Sequence, residues 1–121
     1  MPNVYDLEER TGKFGEEVID FCRGLSQDVI SKPLITQLIR SATSIGANYM
    51  EANGASSRND FRNKIYICKK EVQESKHWFR MIYRYFHEKK DAAMKLWKEA
   101  QELTLIFQKI TSSLRSKNES L

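Results

Sequence analysis

"SATSIGANYMEANGASSRNDF", residues 41–61, decides how this chain is to be read. Its small residues and its two glycines would suit a flexible loop. Yet Ile45, Tyr49 and Ala52 recur at steps of four and three, which lays a stripe along one side of a helix. Traced backwards, the stripe continues through Ala42, Leu38 and Ile35. It is entered at Ser31-Lys32-Pro33, where proline fits a first helical turn because its missing N–H would have had no partner. Gly54 is the expected stop. Gly46 inside a helix costs about 1 kcal/mol relative to alanine, so a packing or functional gain should offset it. Ser41, Ala42, Ser44, Gly46 and Ala47 would let another backbone approach closely, from the same subunit, a second subunit or a ligand.

Three further segments carry the same period. Leu7, Thr11, Phe14, Val18, Phe21 and Leu25 form the first stripe, with Asn3 as N-cap and Gly24 near its end. Phe61, Ile65, Cys68, Val72, Ser75, Phe79, Ile82 and Phe86 form another, preceded by Ser57-x-x-Asp60, a capping box with Asp for the usual Glu. Ala93, Leu96, Ala100, Leu103, Phe107, Ile110 and Leu114 form the last, capped by Asp91 and followed by the polar SLRSKNESL, which should fray. The spacing predicts helices over about 4–24, 33–53, 58–87 and 91–115, in one domain over 1–121.

Apolar residues make up 40% of the 121 and charged residues 30%, with only 5 Gly and 2 Pro, which favours amphipathic helices over short strands and tight turns. Four long helices with short links point to an all-α, antiparallel, up-down-up-down, left-handed four-helix bundle. No signal peptide or membrane span is legible, and the expected location is cytoplasmic. Cys22 and Cys68 lack CxxC spacing and read as buried reduced thiols.

The order of residues in "LIRSATSIGANYMEANGASSRNDFRNKIYICKKEVQESKHWF", 38–79, resembles the shared core of the 23S rRNA intervening-sequence protein family. The matching elements are Arg40, Ser44 to Asn48, Glu51-Ala52, Arg58 to Phe61, Lys70-Glu71 and Glu74 to Trp78. His77 departs from the aromatic residue, such as Tyr, more often found there. The resemblance implies an antiparallel four-helix bundle that assembles as a homopentameric ring, with no settled biochemical activity. Members are encoded in intervening sequences of bacterial 23S rRNA genes and elsewhere. A relative in fold, the accessory variability protein of diversity-generating retroelements, binds a reverse transcriptase and nucleic acid.

The run "HWFRMIYRYF" speaks for assembly on its own. Trp78, Phe79, Met81, Ile82, Tyr83, Tyr85 and Phe86 cover nearly the full circumference of a helix, more than one bundle needs. These residues, with Gly46, are the expected oligomer interface; a longer neighbouring helix or loop of the same chain is the other cover.

Charge is uneven: five Lys and Arg face eight Asp and Glu in residues 1–57, against fifteen and eight in 58–121. Lys76, Arg80 and Arg84 share a line one turn apart, with Lys69 and Lys70 before them. Cations interleaved with aromatics suit phosphates and bases. Interface rims and a solvated face use the same residue types.

Arg40, Asn48, Glu51, Glu71 and Glu74 form a candidate polar network in which Arg40 bridges carboxylates. Glu74-x-x-His77 imitates half of a di-iron site but has no second copy, and His87, ten residues beyond His77, does not complete an i, i+4 pair. No P-loop, Rossmann glycine pattern, HExxH or Gly-x-Ser-x-Gly occurs. No metal or cofactor is expected.

The expected function is a non-enzymatic, self-assembling scaffold that binds a protein partner, with RNA or DNA as cargo. Its rivals are a dedicated nucleic-acid-binding protein using the basic third helix, and an enzyme using Glu71, Glu74 or His77.

Overall fold

A computed structural model of the chain describes residues 6–119. It contains four α-helices: α1 (Leu7–Arg23), α2 (Ser31–Asn53), α3 (Arg58–Tyr85) and α4 (Lys90–Glu119), with a 3-10 turn over His87–Lys89 before α4.

Local chemistry sets the boundaries. Asp28 governs the start of α2, its carboxylate accepting from the Ile30 and Ser31 N–H groups at 2.9 and 2.7 Å. The helix therefore begins two residues before Pro33, which still falls in the first turn. Ser57 caps α3 as expected, its hydroxyl accepting from the Asp60 N–H at 3.0 Å. The non-helical ψ of Phe86, 77°, stops α3 at Tyr85, so His87 lies beyond the helix. Asp91 is the second residue of α4 rather than its cap, and α4 continues to Glu119 where fraying was expected. The expected cap Asn3 lies outside the described residues.

Each helix packs on its neighbours in sequence, and α1 meets α4 to close the ring. Pairings such as Gly46 with Gly12 and Gly15 with Thr43 step down α2 as they step up α1. Glu51 with Lys64, Ile45 with Cys68 and Arg40 with Glu71 do the same for α2 and α3. Sequential helices thus run in opposite senses.

The four stripes meet inside. Phe14, Val18, Leu38, Ile45, Ile65, Val72, Phe79, Ile82, Leu103 and Phe107 are sealed from solvent. The Phe79 ring stands edge-on to Phe14 at 6.2 Å and to Phe21 at 6.3 Å, while Tyr49 and Phe107 meet at 6.1 Å across the other diagonal. Buried hydroxyls are satisfied: Thr11 donates to the Leu7 carbonyl at 2.7 Å, and Ser75 lies 2.9 Å from both the Ser41 hydroxyl and the Glu71 carbonyl. Cys22 and Cys68 are buried and free. Desolvation pushes their thiols up to about 11 and about 12, which keeps them protonated.

The small residues of α2 serve packing within the chain. A Cβ on Gly46 would come within 3.3 Å of the Gly12 nitrogen and 3.4 Å of the Thr11 carbonyl carbon. Gly46 was expected at an interface between chains; it lies instead against α1. Phe79, Ile82 and Phe86 were also expected there, but their positions on the core stripe point them inward, and they are buried within their own chain.

Candidate functional site

The polar residues expected to form one network separate: Arg40, Glu71 and Glu74 stay together, while Asn48 and Glu51 each have a partner of their own. On the α2–α3 seam, the Arg40 guanidinium pairs with Glu71 at 3.1 Å and with Glu74, and its Nε donates to Gln37 at 2.9 Å. Glu71 and Glu74 are one turn apart on α3, so a single planar fork reaches both carboxylates. The Glu71 side chain is only 8% exposed, which makes Arg40 its necessary counter-charge. Asn48 bonds back to the Ser44 carbonyl at 2.8 Å, and Glu51 pairs with Lys64 at 3.1 Å. Neither joins the Arg40 cluster.

A second charged cluster was invisible in the sequence. Arg10 of α1 grips Glu99 of α4 through Nε and one terminal nitrogen at 2.7 and 2.8 Å, and reaches Glu102 at 2.9 Å. The hydrogen bonds from Arg10 hold the Glu99 carboxyl below its ordinary value, and those to Glu99 raise the Arg10 guanidinium. The partners lie 89 and 92 residues apart, beyond the reach of any local pattern.

The expected cations of α3 lie elsewhere. Lys76, His77, Arg80 and Tyr83 of α3 and Met94 and Trp97 of α4 line a groove of about 580 Å³. The Lys76 ammonium donates to Gln101 at 2.7 Å and stands 5.4 Å from the Trp97 ring centroid. Lys90 stands over Tyr83 at 5.9 Å. Lys69 is half-buried, while Lys70, Arg80 and Arg84 are exposed. Among the described residues, none of Lys69, Lys70, Lys76, Arg80, Arg84 and Lys90 has a carboxylate at ion-pairing distance. The ion-paired carboxylates, Glu17, Asp20, Glu51, Glu71, Glu74, Glu99 and Glu102, are held by Lys13, Arg23, Lys64, Arg40 and Arg10, so none of them pairs with the cations of α3 or with Lys90.

Trp97 and Met94 are the groove residues that sequence reasoning missed, along with Lys90, which stands over Tyr83. The available signal was a tryptophan one step off the core stripe of α4, between Leu96 and Lys98.

A second apolar line runs along α3. Ile67, Trp78, Met81 and Tyr85 fall on one side, offset from the core stripe, with the carboxylate of Glu74 interrupting them between Ile67 and Trp78. Ile67 and Tyr85 are exposed at 38% and 37%, and Trp78 and Met81 are half-buried. The indole N–H of Trp78 is buried without an acceptor among the described residues. Tyr85 hydrogen-bonds Asp28, which raises the phenol and lowers the carboxyl, and ties the end of α3 to the α1–α2 loop. Trp78 and Arg80, like Met81 and Tyr83, are two residues apart, about 200° around the helix. The apolar line and the cationic groove therefore occupy opposite sides of α3.

Among the described residues, no three His, Cys, Asp or Glu side chains gather in a metal-binding arrangement, and no helix is long and apolar enough to cross a membrane.

Residues 6–109 match the family model described as 23S rRNA-intervening sequence protein. The chain is also similar to a crystal structure of a protein of unknown function from the S23 ribosomal protein family of Bacteroides thetaiotaomicron. The two are 26% identical with a TM-score of 0.76, over 86% of this chain and 96% of that one. No curated protein shows a match.

Proposed function

This chain belongs to the 23S rRNA-intervening sequence protein family, and from that premise we propose that it is a non-enzymatic, cytoplasmic scaffold that assembles with itself and holds a protein partner. The observation that carries this reading is the side of α3 bearing Ile67, Met81 and Tyr85, which the core leaves partly exposed, with Trp78 beside them packed at the core's edge. An offset second stripe is what a helix needs when it faces a further helix, and covering it shields rings and thioether from water. The assembly is a homopentamer, as the resemblance implies. Glu71 and Glu74, the carboxylates an enzyme would need, are engaged by Arg40, which counts against a catalytic pair. Ile67→Glu and Met81→Glu together tests the interface. Sedimentation velocity should show a lighter species with unchanged helicity; an unchanged sedimentation coefficient would remove this stripe from the interface.

A specific observation also favours a second reading, contact with RNA or DNA. Lys69, Lys70, Lys76, Arg80 and Arg84 have no carboxylate partners among the described residues, so an incoming phosphate displaces counter-ions rather than internal ion pairs. Binding of a polyanion should weaken steeply between low and moderate salt and fall when Lys76, Arg80 and Arg84 are replaced by alanine. Salt-independent binding would dismiss the reading. The two readings are compatible because Lys69, Lys76 and Arg80 lie on the side of α3 opposite Trp78, Met81 and Tyr85, while Arg84 lies between the two sides and Lys70 beside the apolar line.

A further inference from the structure

We infer that the α3–α4 groove is a stacking site for unpaired nucleotides of a single-stranded nucleic acid, with Trp97 and Tyr83 as base platforms and Lys76, Arg80 and Lys90 on the phosphates. This deepens the reading of α3 as a nucleic-acid surface and rests on it.

The groove combines the two groups such a ligand requires. It is an open surface groove of about 580 Å³, lined by two aromatic rings and the cations Lys76 and Arg80. Two aromatic rings from different helices contribute to one region: Trp97 lines the groove beneath Lys76, and Tyr83 lines it beneath Lys90. Each ring is paired with an ammonium at 5.4 or 5.9 Å; that of Lys76 also donates to Gln101 at 2.7 Å, and neither is held by a carboxylate among the described residues. Tyr83 and Trp97 are half-buried against the core, and for the ring face that each turns to its lysine, base–aromatic stacking is the stronger contact. A base entering the groove therefore displaces the ammonium from the ring face toward the phosphate that accompanies the base. Arg80, exposed at the groove wall and one turn from Lys76, supplies a second, planar cation for the same backbone.

Duplexes cannot use this arrangement. Their bases are already stacked on one another, so they present only phosphates to the lysines and leave both rings idle. Base-free polyanions such as heparin are limited in the same way. Preference for single strands thus separates this site from a general basic surface.

The test measures binding of the full chain to a labelled oligouridylate of about 12 nucleotides, to an RNA duplex of the same length, and to heparin. Wild type should bind the single strand about tenfold more tightly than the duplex. Tyr83→Leu and Trp97→Leu should each weaken single-strand binding about tenfold while leaving duplex and heparin binding unchanged, and Trp97→Phe, which keeps a ring, should retain most of it. Quenching of Trp97 fluorescence by the oligouridylate in a Trp78→Phe background gives a readout without altering the groove. Equal affinity for single strand and duplex, or no quenching, would overturn the stacking site while leaving the basic surface standing. Failure to bind any of the three polyanions would sink both.

Discussion

Gly46 of α2 and Gly12 of α1 bring two backbones so close that a Cβ on Gly46 would stand 3.3 Å from the Gly12 nitrogen. The reverse is not true: a Cβ on Gly12 meets nothing within 4 Å. The two glycines should therefore respond oppositely. Gly12→Ala gains helix propensity at no steric cost and should stabilise the fold by about 0.5–1 kcal/mol. Gly46→Val forces α1 away and should destabilise it by about 1–3 kcal/mol. Urea midpoints at one fixed protein concentration check both.

Arg40 neutralises a carboxylate that is nearly out of water. Arg40→Ala leaves Glu71 without its counter-charge and should cost on the order of 2 kcal/mol, discounted because the arginine itself is half-exposed. Glu71→Gln in the same chain should restore part of the loss, since a neutral amide no longer needs the guanidinium. A double-mutant cycle measures the coupling, and strictly additive losses would show that the two groups do not cooperate.

The Arg10–Glu99 pair predicts acid sensitivity. The folded carboxyl of Glu99 titrates below its ordinary value of 4.5. The pair's contribution is thus fully present above that pH and is lost as pH falls through the lower, folded value. Thermal melts from pH 7 to pH 3 should show a smaller drop in Glu99→Gln than in wild type.

Burial protects both cysteines. With thiols raised to about 11 and about 12, neither forms appreciable thiolate near pH 8, and a thiol reagent should modify the native chain slowly and the denatured chain at once. Because the folded values lie above the unfolded one, stability should also fall as pH rises past 9.0, the ordinary thiol value. Rapid native labelling would contradict the packing around Cys22 and Cys68.

The fold was legible because period is a local property. Ile35, Leu38, Ala42, Ile45, Tyr49 and Ala52 all face inward, as their spacing requires. Family membership was legible too, from the ordered residues between Leu38 and Phe79. The site was only half legible. Period alone puts Phe79, Ile82 and Phe86 on the core stripe, where they are buried, although the whole run was expected at an interface. What period could not decide is which of Trp78, Met81, Tyr83 and Tyr85 meets α4, since that depends on where α4 stands, and it sends Tyr83 into the groove. Arg40 with Glu71 and Glu74, residues 31 and more positions away, was open to reading because helical spacing puts both acids on one side. Arg10 with Glu99 and Lys76 with Trp97 were not, since each joins helices whose relative rotation no sequence period encodes.

Self-association through the second stripe of α3 is the claim on which the scaffold reading stands. Light scattering coupled to size-exclusion chromatography measures it directly. The account predicts a particle of several chains, near five times the 14.2 kDa of one. A mass of one chain at every concentration would contradict it.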